Sequence, residues 1–163
     1  MDRPYIATEY AMSSGVGVSS KRLPSFDKAL IQAHVGNYNL VRLSSILPAG
    51  CKEVPIKDIQ DHIKEGSLLP TAYATISCSE YGMRIASAIG IGFPKDESKV
   101  GVIMEFSGEG IDADEAADII DKMIDEAFEE RGWELGSKKT NAIDAVVDKR
   151  GETVTTFACV AEW

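Results

Sequence analysis

Two adjacent serines, Ser44 and Ser45, follow a short apolar segment and precede Pro48, so they are predicted to lie in a bend at the end of a strand. A serine hydroxyl at such a bend can attack a substrate or the carbonyl carbon of the preceding residue. In the second reaction, the Ser45 hydroxyl converts the peptide bond after Ser44 into an ester. β-Elimination then cuts the chain and leaves dehydroalanine at position 45, and hydrolysis of that residue gives a pyruvoyl group, which is an electrophilic ketone.

A hydrolytic role for the two serines has little support in the sequence. No G-x-S-x-G motif surrounds them, and the chain has only two histidines, His34 and His62. A Ser-His-Asp triad is therefore not expected. A turn without a chemical role is the simpler alternative, because serine is common in turns.

Three other polar residues could take part in chemistry at this bend. Asn39, five residues before Ser44, could donate a hydrogen bond to an oxyanion, although an asparagine there also suits a turn. Glu105 stands in an apolar segment and would be a proton donor if burial favoured its protonated form, whereas strand alternation could instead point it to solvent. Asp27 could bind a cationic ligand or stabilise the first turn of a helix.

The composition indicates one globular domain. The chain has 163 residues, of which 44% are hydrophobic and 26% are charged. The net charge of -9 argues against nucleic-acid binding, which needs a basic surface. The three cysteines, Cys51, Cys78 and Cys159, form no metal-binding motif, so we expect reduced thiols, no metal and a cytoplasmic location. No apolar segment approaches a membrane span, and residues 1–4 lack the apolar core of a signal peptide.

Apolar patterns predict an α+β domain with helices covering sheet faces. The predicted strands are 5–18, 40–43, 68–77, 83–93, 99–106, 142–147 and 153–162, and the predicted helices are 25–35, 56–64 and a longer one that begins after Asp112 and ends at Gly132. Ser25 is expected to cap the first helix. The first strand should run into a turn at Gly15 and Gly17, and strands 68–77 and 83–93 should pair as a hairpin.

Several segments resemble the pyruvoyl-dependent arginine decarboxylases. The most specific is GNYNLVRLSSILP at 36–48, which contains the serine pair. The other matching segments, in chain order, are LPSFD at 23–27, PTAY at 70–73, IGFPKD at 91–96, IME at 103–105 and FEERGW at 128–133. Together these segments extend over nearly the whole chain, whereas 57–66 and 77–81 depart from the family pattern and are expected to be surface loops.

The resemblance implies a fold, a cofactor and a reaction. The fold would be a single-domain, four-layer α-β-β-α sandwich that assembles as a trimer, which can stack into a hexamer, with active sites between subunits. Cleavage between Ser44 and Ser45 would give a β chain, 1–44, and an α chain, 45–163, that begins with the pyruvoyl group. L-Arginine would form a Schiff base with this group and become agmatine and carbon dioxide, without a metal or pyridoxal phosphate.

The resemblance also implies roles for individual residues. Asn39 would act in processing and in the active site, and Glu105 would be the proton donor. Asp27 would hold the guanidinium of the substrate, while Leu30 and Ile46 would be apolar walls along its aliphatic chain.

Two other functions stay open from the sequence. A pyruvoyl enzyme of this type could act on another basic or aromatic amino acid. Alternatively, the chain could be an uncleaved, homo-oligomeric binding module in which Ser44 and Ser45 form a plain turn. If the product is agmatine, it would feed polyamine biosynthesis or acid resistance.

Overall fold

The computed structural model describes residues 5–163, so the expectation about a signal peptide at residues 1–4 lies outside the described range. The elements, in chain order, are β1 (Glu9–Ser19), α1 (Arg22–Gln32), β2 (Asn39–Arg42), β3 (Ile46–Leu47), β4 (Lys52–Glu53), a 3-10 turn (Ile56–Asp58), α2 (Ile59–His62), β5 (Leu68–Cys78), β6 (Arg84–Pro94), β7 (Gly101–Glu109), α3 (Ala113–Arg131), β8 (Leu135–Val146) and β9 (Thr153–Glu162). The described residues thus form a single α+β domain, as predicted. None of their helices is both long and apolar enough to cross a lipid bilayer.

The strands form two sheets. The larger sheet has the strand order β2-β5-β9-β1-β4, and the smaller sheet has the order β3-β7-β6-β8. In the larger sheet, β9 pairs antiparallel with β1 and β5, and the edge strands β2 and β4 pair parallel with their neighbours. The smaller sheet is antiparallel throughout. The chain therefore passes from one sheet to the other between β2 and β3, in the segment that contains the two serines.

Apolar side chains of the two sheets meet in shared clusters, which is consistent with a sandwich. One cluster combines Tyr10, Ala72, Ala158 and Val160 of the larger sheet with Leu47, Ile89, Ile91 and Ile103 of the smaller sheet. Each of the longer helices packs against one sheet. Ala29 and Ala33 of α1 cluster with Phe157 of β9, whereas Ile120 and Ile124 of α3 cluster with Ala88 of β6.

The expected turn at Gly15 and Gly17 is wrong. Both glycines lie inside β1, which continues to Ser19. A Cβ atom at Gly15 would overlap the backbone of Ala29, and one at Gly17 would overlap the backbone of Ser25. Glycine is required at both positions because the backbone of α1 lies directly on β1.

The expected cap at Ser25 is also wrong, because α1 begins at Arg22. Ser25 is buried in the first turn, where its hydroxyl donates to the Arg22 carbonyl at 2.7 Å and lies 2.6 Å from the Thr155 hydroxyl. Pro24 is tolerated before it, since the amides of a first helical turn have no intrahelical partner. By contrast, α3 has the predicted limits: Asp112 forms a capping box with Glu115, and Gly132 ends the helix in the left-handed region, with φ 61°.

The predicted hairpin of 68–77 and 83–93 does not form. These segments become β5 and β6, which belong to different sheets. β6 is buried along almost its whole length, so its apolar residues do not distinguish one partner from another. Residues 46–55, between the predicted strand 40–43 and the predicted helix 56–64, contain two short edge strands, β3 and β4.

Candidate active site

The peptide bond between Ser44 and Ser45 lies in the segment that joins the two sheets. The Leu43 amide donates to the Thr71 carbonyl of the larger sheet at 3.0 Å, and the Ile103 amide of the smaller sheet donates to the Ser45 carbonyl at 2.7 Å. Ser44 is exposed and Ser45 is partly buried. The bond is therefore held from both sides and is still accessible.

Glu105 lies two residues after Ile103 in β7, about 7 Å along the strand. Alternation places both side chains on the same face, and Ile103 packs toward the larger sheet. The Glu105 Oε1 atom accepts a hydrogen bond from Arg42 at 2.5 Å. The Oε2 atom is buried and has no hydrogen-bond partner among residues 5–163. Because a buried oxygen without a partner is costly, this atom suits a ligand that donates a hydrogen bond, or a proton.

Arg42 is a charged residue of this site that the sequence analysis does not identify. Its guanidinium donates to the Tyr73 carbonyl at 2.9 Å and lies 4.4 Å from the centre of the Tyr73 ring. The hydrogen bond with Glu105 raises the pKa of Arg42, and partial burial opposes that change. The available signal was its place at the end of an apolar strand, two residues before Ser44.

Asn39 is not next to the serines of its own chain. It begins β2, and about 16 Å of extended backbone separates it from Ser44. Its side-chain amide donates to the Gly66 carbonyl at 2.9 Å. This contact holds the Asn39 amide at the start of β2, at the far end of the segment from the serine pair.

The three residues expected to bind substrate lie in two places. Ile46 directly follows Ser45 and is 39% exposed. Asp27 and Leu30 are on α1, where Leu30 packs into the cluster between this helix and the larger sheet. Asp27 is exposed, and no ion pair is found for it within the described part of the chain. Within one chain, Ile46 is therefore next to the serines, whereas Asp27 and Leu30 lie on α1, the helix that packs against the larger sheet.

Two packed sheets with a Ser-Ser bond and a carboxylate at their common edge suit an enzyme that makes its own reactive carbonyl. The chain matches the family model of pyruvoyl-dependent arginine decarboxylase over residues 9–162. It belongs to that family.

Curated archaeal proteins are similar to nearly the full chain. The protein of Methanocaldococcus jannaschii is 37% identical over 153 residues, which are 94% of this chain and 88% of that protein. The protein of Thermococcus kodakarensis is 40% identical over 126 residues, or 77% of each chain. The protein of Methanococcus aeolicus is 35% identical over 161 residues, 98% of this chain and 93% of the relative. Each is named pyruvoyl-dependent arginine decarboxylase.

The residues present fit a pyruvoyl group at position 45. The Ser45 carbonyl, which would adjoin the new ketone, is held by the Ile103 amide. The Oε2 atom of Glu105, on the same strand as Ile103, is buried and has no hydrogen-bond partner among residues 5–163. Among residues 5–163, no cluster of three or more His, Cys, Asp or Glu side chains could hold a metal ion.

Proposed function

We infer that this chain is a pyruvoyl-dependent arginine decarboxylase, a carboxy-lyase that converts L-arginine into agmatine and carbon dioxide. The family match and the names of the relatives support this function and its covalent pyruvoyl cofactor. The structural observation that carries the inference is the Ser44–Ser45 bond, which crosses between the sheets close to a carboxylate with a free, buried oxygen.

Processing uses residues of the chain and one molecule of water. The Ser45 hydroxyl attacks the Ser44 carbonyl carbon, the C–N bond breaks, and the proton moves to the released amine. Loss of the Cα proton of residue 45 then expels the Ser44 carboxylate from the Cβ atom and leaves dehydroalanine. Water converts this residue into the pyruvoyl group and ammonia. The products are a β chain, 1–44, and an α chain, 45–163, and an amide such as that of Asn39 would stabilise the oxyanion of the first step.

The pyruvoyl group supplies a carbonyl that withdraws electrons, the role of pyridoxal phosphate in other decarboxylases. The residues of the chain bind the substrate and move the proton. Glu105 delivers a proton from Oε2 to the Cα atom after carbon dioxide has left. Asp27 binds the guanidinium through parallel hydrogen bonds, which favours arginine over lysine. Ile46 and Leu30 border the aliphatic part of the substrate.

The layer order of the domain is that of a four-layer α-β-β-α sandwich. This order is supported by α1 on the larger sheet, α3 on the smaller sheet and a shared cluster between the sheets. The Ser44–Ser45 bond then lies at the edge of the two inner layers, where a second subunit can reach it.

The active site is completed between subunits of a trimer, which can stack into a hexamer. Two observations support shared sites. Asp27 is exposed on α1, and the Asn39 amide donates to the Gly66 carbonyl at 2.9 Å rather than to the serine segment. Apolar side chains are exposed around the β2 edge, namely Val41 at 43%, Ile46 at 39% and Leu68 at 70%. A cytoplasmic location fits the three cysteines, all of which have free thiols.

Mass spectrometry of the purified protein tests the proposal directly. We expect two fragments, 1–44 and 45–163, with the larger one blocked to Edman degradation, and release of labelled carbon dioxide from carboxyl-labelled arginine. Ser45→Ala should abolish both results, and Ser20→Ala, which changes an exposed loop serine, should abolish neither. An intact chain that releases no carbon dioxide would instead support a binding module. Release of carbon dioxide from another amino acid but not from arginine would show that the enzyme has a different substrate.

A further inference from the structure

We propose that Arg42 is a positioning residue for the decarboxylation. It anchors one oxygen of the Glu105 side chain, so that the other oxygen, Oε2, stays in one place for its contact with the substrate. This inference rests on the proposed function, because it takes Glu105 as the proton donor. It adds a residue of the larger sheet to a step that the proposed function gives to the smaller sheet alone.

The two oxygen atoms of Glu105 have different surroundings. Oε1 accepts a hydrogen bond from Arg42 at 2.5 Å, whereas Oε2 is buried and has no partner among residues 5–163. Ile89, which pairs with Glu105 on β6, is apolar and offers no second anchor. A glutamate side chain has several rotatable bonds, so its carboxyl group turns freely unless a neighbour holds it. Within the described part of the chain, Arg42 is the hydrogen-bond partner recorded for this side chain.

Arg42 is itself held in a fixed orientation. Its Nη2 atom donates both to Glu105 and to the backbone carbonyl of Tyr73, the latter at 2.9 Å, so both hydrogens of this nitrogen are used. The guanidinium also lies 4.4 Å from the centre of the Tyr73 ring. That ring packs against Phe157 in the core of the larger sheet, with 5.3 Å between the ring centres. A continuous series of contacts therefore connects Glu105 to the core of the opposite sheet.

The exposure of the pair indicates that its main effect is on geometry rather than on stability. The side chains of Arg42 and Glu105 are 53% and 30% exposed. Ion pairs this open to solvent add little to folding stability. A reacting group, by contrast, has to be held closely in place by its neighbours, and a displacement of about 1 Å can lower a rate by about 100-fold. Loss of Arg42 should therefore affect catalysis much more than folding.

The test measures decarboxylation of labelled arginine by the full-length protein, with rates divided by the cut fraction from mass spectrometry. For Arg42→Gln, which is shorter and uncharged, we expect kcat to fall by about 10- to 100-fold. KM should stay within about twofold of wild type, because the proposed contacts with the substrate are unchanged. Arg42→Lys keeps a charged donor but not the planar fork, so it should recover part of the loss.

Arg84→Gln is the matched control. Arg84 also pairs with a carboxylate, Asp144, at 2.7 Å, and their side chains are 46% and 24% exposed. The urea-unfolding midpoints of Arg84→Gln and Arg42→Gln should shift by similar small amounts, whereas kcat should fall only in Arg42→Gln. A large shift for Arg42→Gln alone would contradict a role confined to positioning.

A double variant separates positioning from a general structural defect. Glu105→Gln removes the acidic proton that Arg42 is proposed to position. Adding Arg42→Gln to Glu105→Gln should therefore lower kcat no further, because the two residues act in one step. If Arg42 acted independently of Glu105, the second substitution would lower kcat by the same factor as it does in the wild type.

The results also distinguish this inference from the proposed function. A wild-type protein that stays uncut, or that releases no carbon dioxide from arginine, overturns both. An active wild type together with an equally active Arg42→Gln overturns the role of Arg42 alone, and so does a further loss in the double variant. If Arg42→Gln is not cut, Arg42→Lys provides the comparison. If neither is cut, Arg42 acts in processing, and its role as a positioning residue for the proton donor is overturned.

Discussion

At the scale of single residues, Glu105 illustrates what strand alternation leaves open. From the sequence, its side chain could point to solvent or into a pocket. It shares a face with Ile103, whose side chain is only 1% exposed between the sheets, and its own Oε2 atom is buried. The side chain therefore points between the sheets with 30% of it still exposed, and the ion pair with Arg42 was not anticipated.

Replacement of Glu105 by glutamine tests its role as the proton donor. Glu105→Gln keeps the size of the side chain but removes the acidic proton, so we expect kcat to fall by about 100- to 10,000-fold, as is typical of the loss of a general acid. Cleavage into 1–44 and 45–163 should persist, as measured by mass spectrometry. Glu109→Gln, at an exposed position of the same strand, should leave kcat unchanged. Equal activity of Glu105→Gln and wild type would exclude the role.

Glu162 is a second buried carboxyl, and the sequence pattern did not single it out. It lies in β9 opposite Tyr10 and is 4% exposed, and its Oε1 atom lacks a hydrogen-bond partner within the described range. Burial raises the pKa of Glu162 to about 7. The folded protein therefore binds this proton more tightly than the unfolded chain does.

The raised pKa of Glu162 predicts a pH-dependent stability. Its contribution is complete below the unfolded pKa of about 4.3 and is lost as the pH rises toward 7, by at most about 4 kcal/mol. Glu162→Gln removes the charged form, so it should stabilise the protein at pH 8 relative to wild type and have a smaller effect near pH 5. Thermal melts at both pH values measure this, with the exposed Glu130→Gln as the control. The same change in melting temperature at both pH values would contradict the prediction.

At the scale of elements, the contact between α1 and β1 depends on two residues of β1 that have no side chain. Phe26, Ala29, Leu30 and Ala33 form the apolar face of the helix, as their spacing predicts. The opposite surface is β1, where Gly15 and Gly17 let the helix backbone approach closely. The hydroxyl of Ser13 then reaches the Ala33 carbonyl at 2.7 Å and ties the end of the helix to the strand.

A methyl group at Gly17 should separate these two elements. Gly17→Ala places a Cβ atom against the backbone of Ser25, which cannot rotate away, so α1 must shift. We expect a loss of about 1–3 kcal/mol or more in the free energy of unfolding, as for other overpacked sites. Urea unfolding measures it, with Ser14→Ala in the same strand as the control. A Gly17→Ala protein as stable as the wild type would show that α1 does not pack on β1 in this way.

At the scale of the whole molecule, one chain holds only part of the proposed site. The larger sheet contributes Arg42 and Tyr73, and the smaller sheet contributes Glu105, so the site depends on how the sheets face each other. Asp27 is on the outer helix α1, and in the proposed trimer this residue would come from a second subunit.

Mixed oligomers test the shared site. Asp27→Ala and Glu105→Gln should each be inactive, but chains of both kinds expressed together should regain activity, because some interfaces then combine two intact contributions. In a random equal mixture, about a quarter of the interfaces do so. Mixing two separately assembled oligomers, without exchange of subunits, is the control and should regain none. No recovery after co-expression would place Asp27 and Glu105 in sites of the same chain, or outside the site.

The sequence by itself determined the features that depend on neighbouring residues. The limits of α3 follow from Asp112 and Gly132, its buried face follows from residues three and four apart, and the family follows from continuous segments such as 36–48. These signals are local because helix capping and helical spacing act within a few residues.

Only the tertiary structure decided which distant segments meet. Arg42 and Glu105 are 63 positions apart, and nothing near either residue identifies the other. The pairing of β5 with β9 rather than β6 has the same cause, since buried strands with two apolar faces accept several partners. Gly15 and Gly17 likewise signal a turn when read alone, and their real role depends on a helix that packs across them.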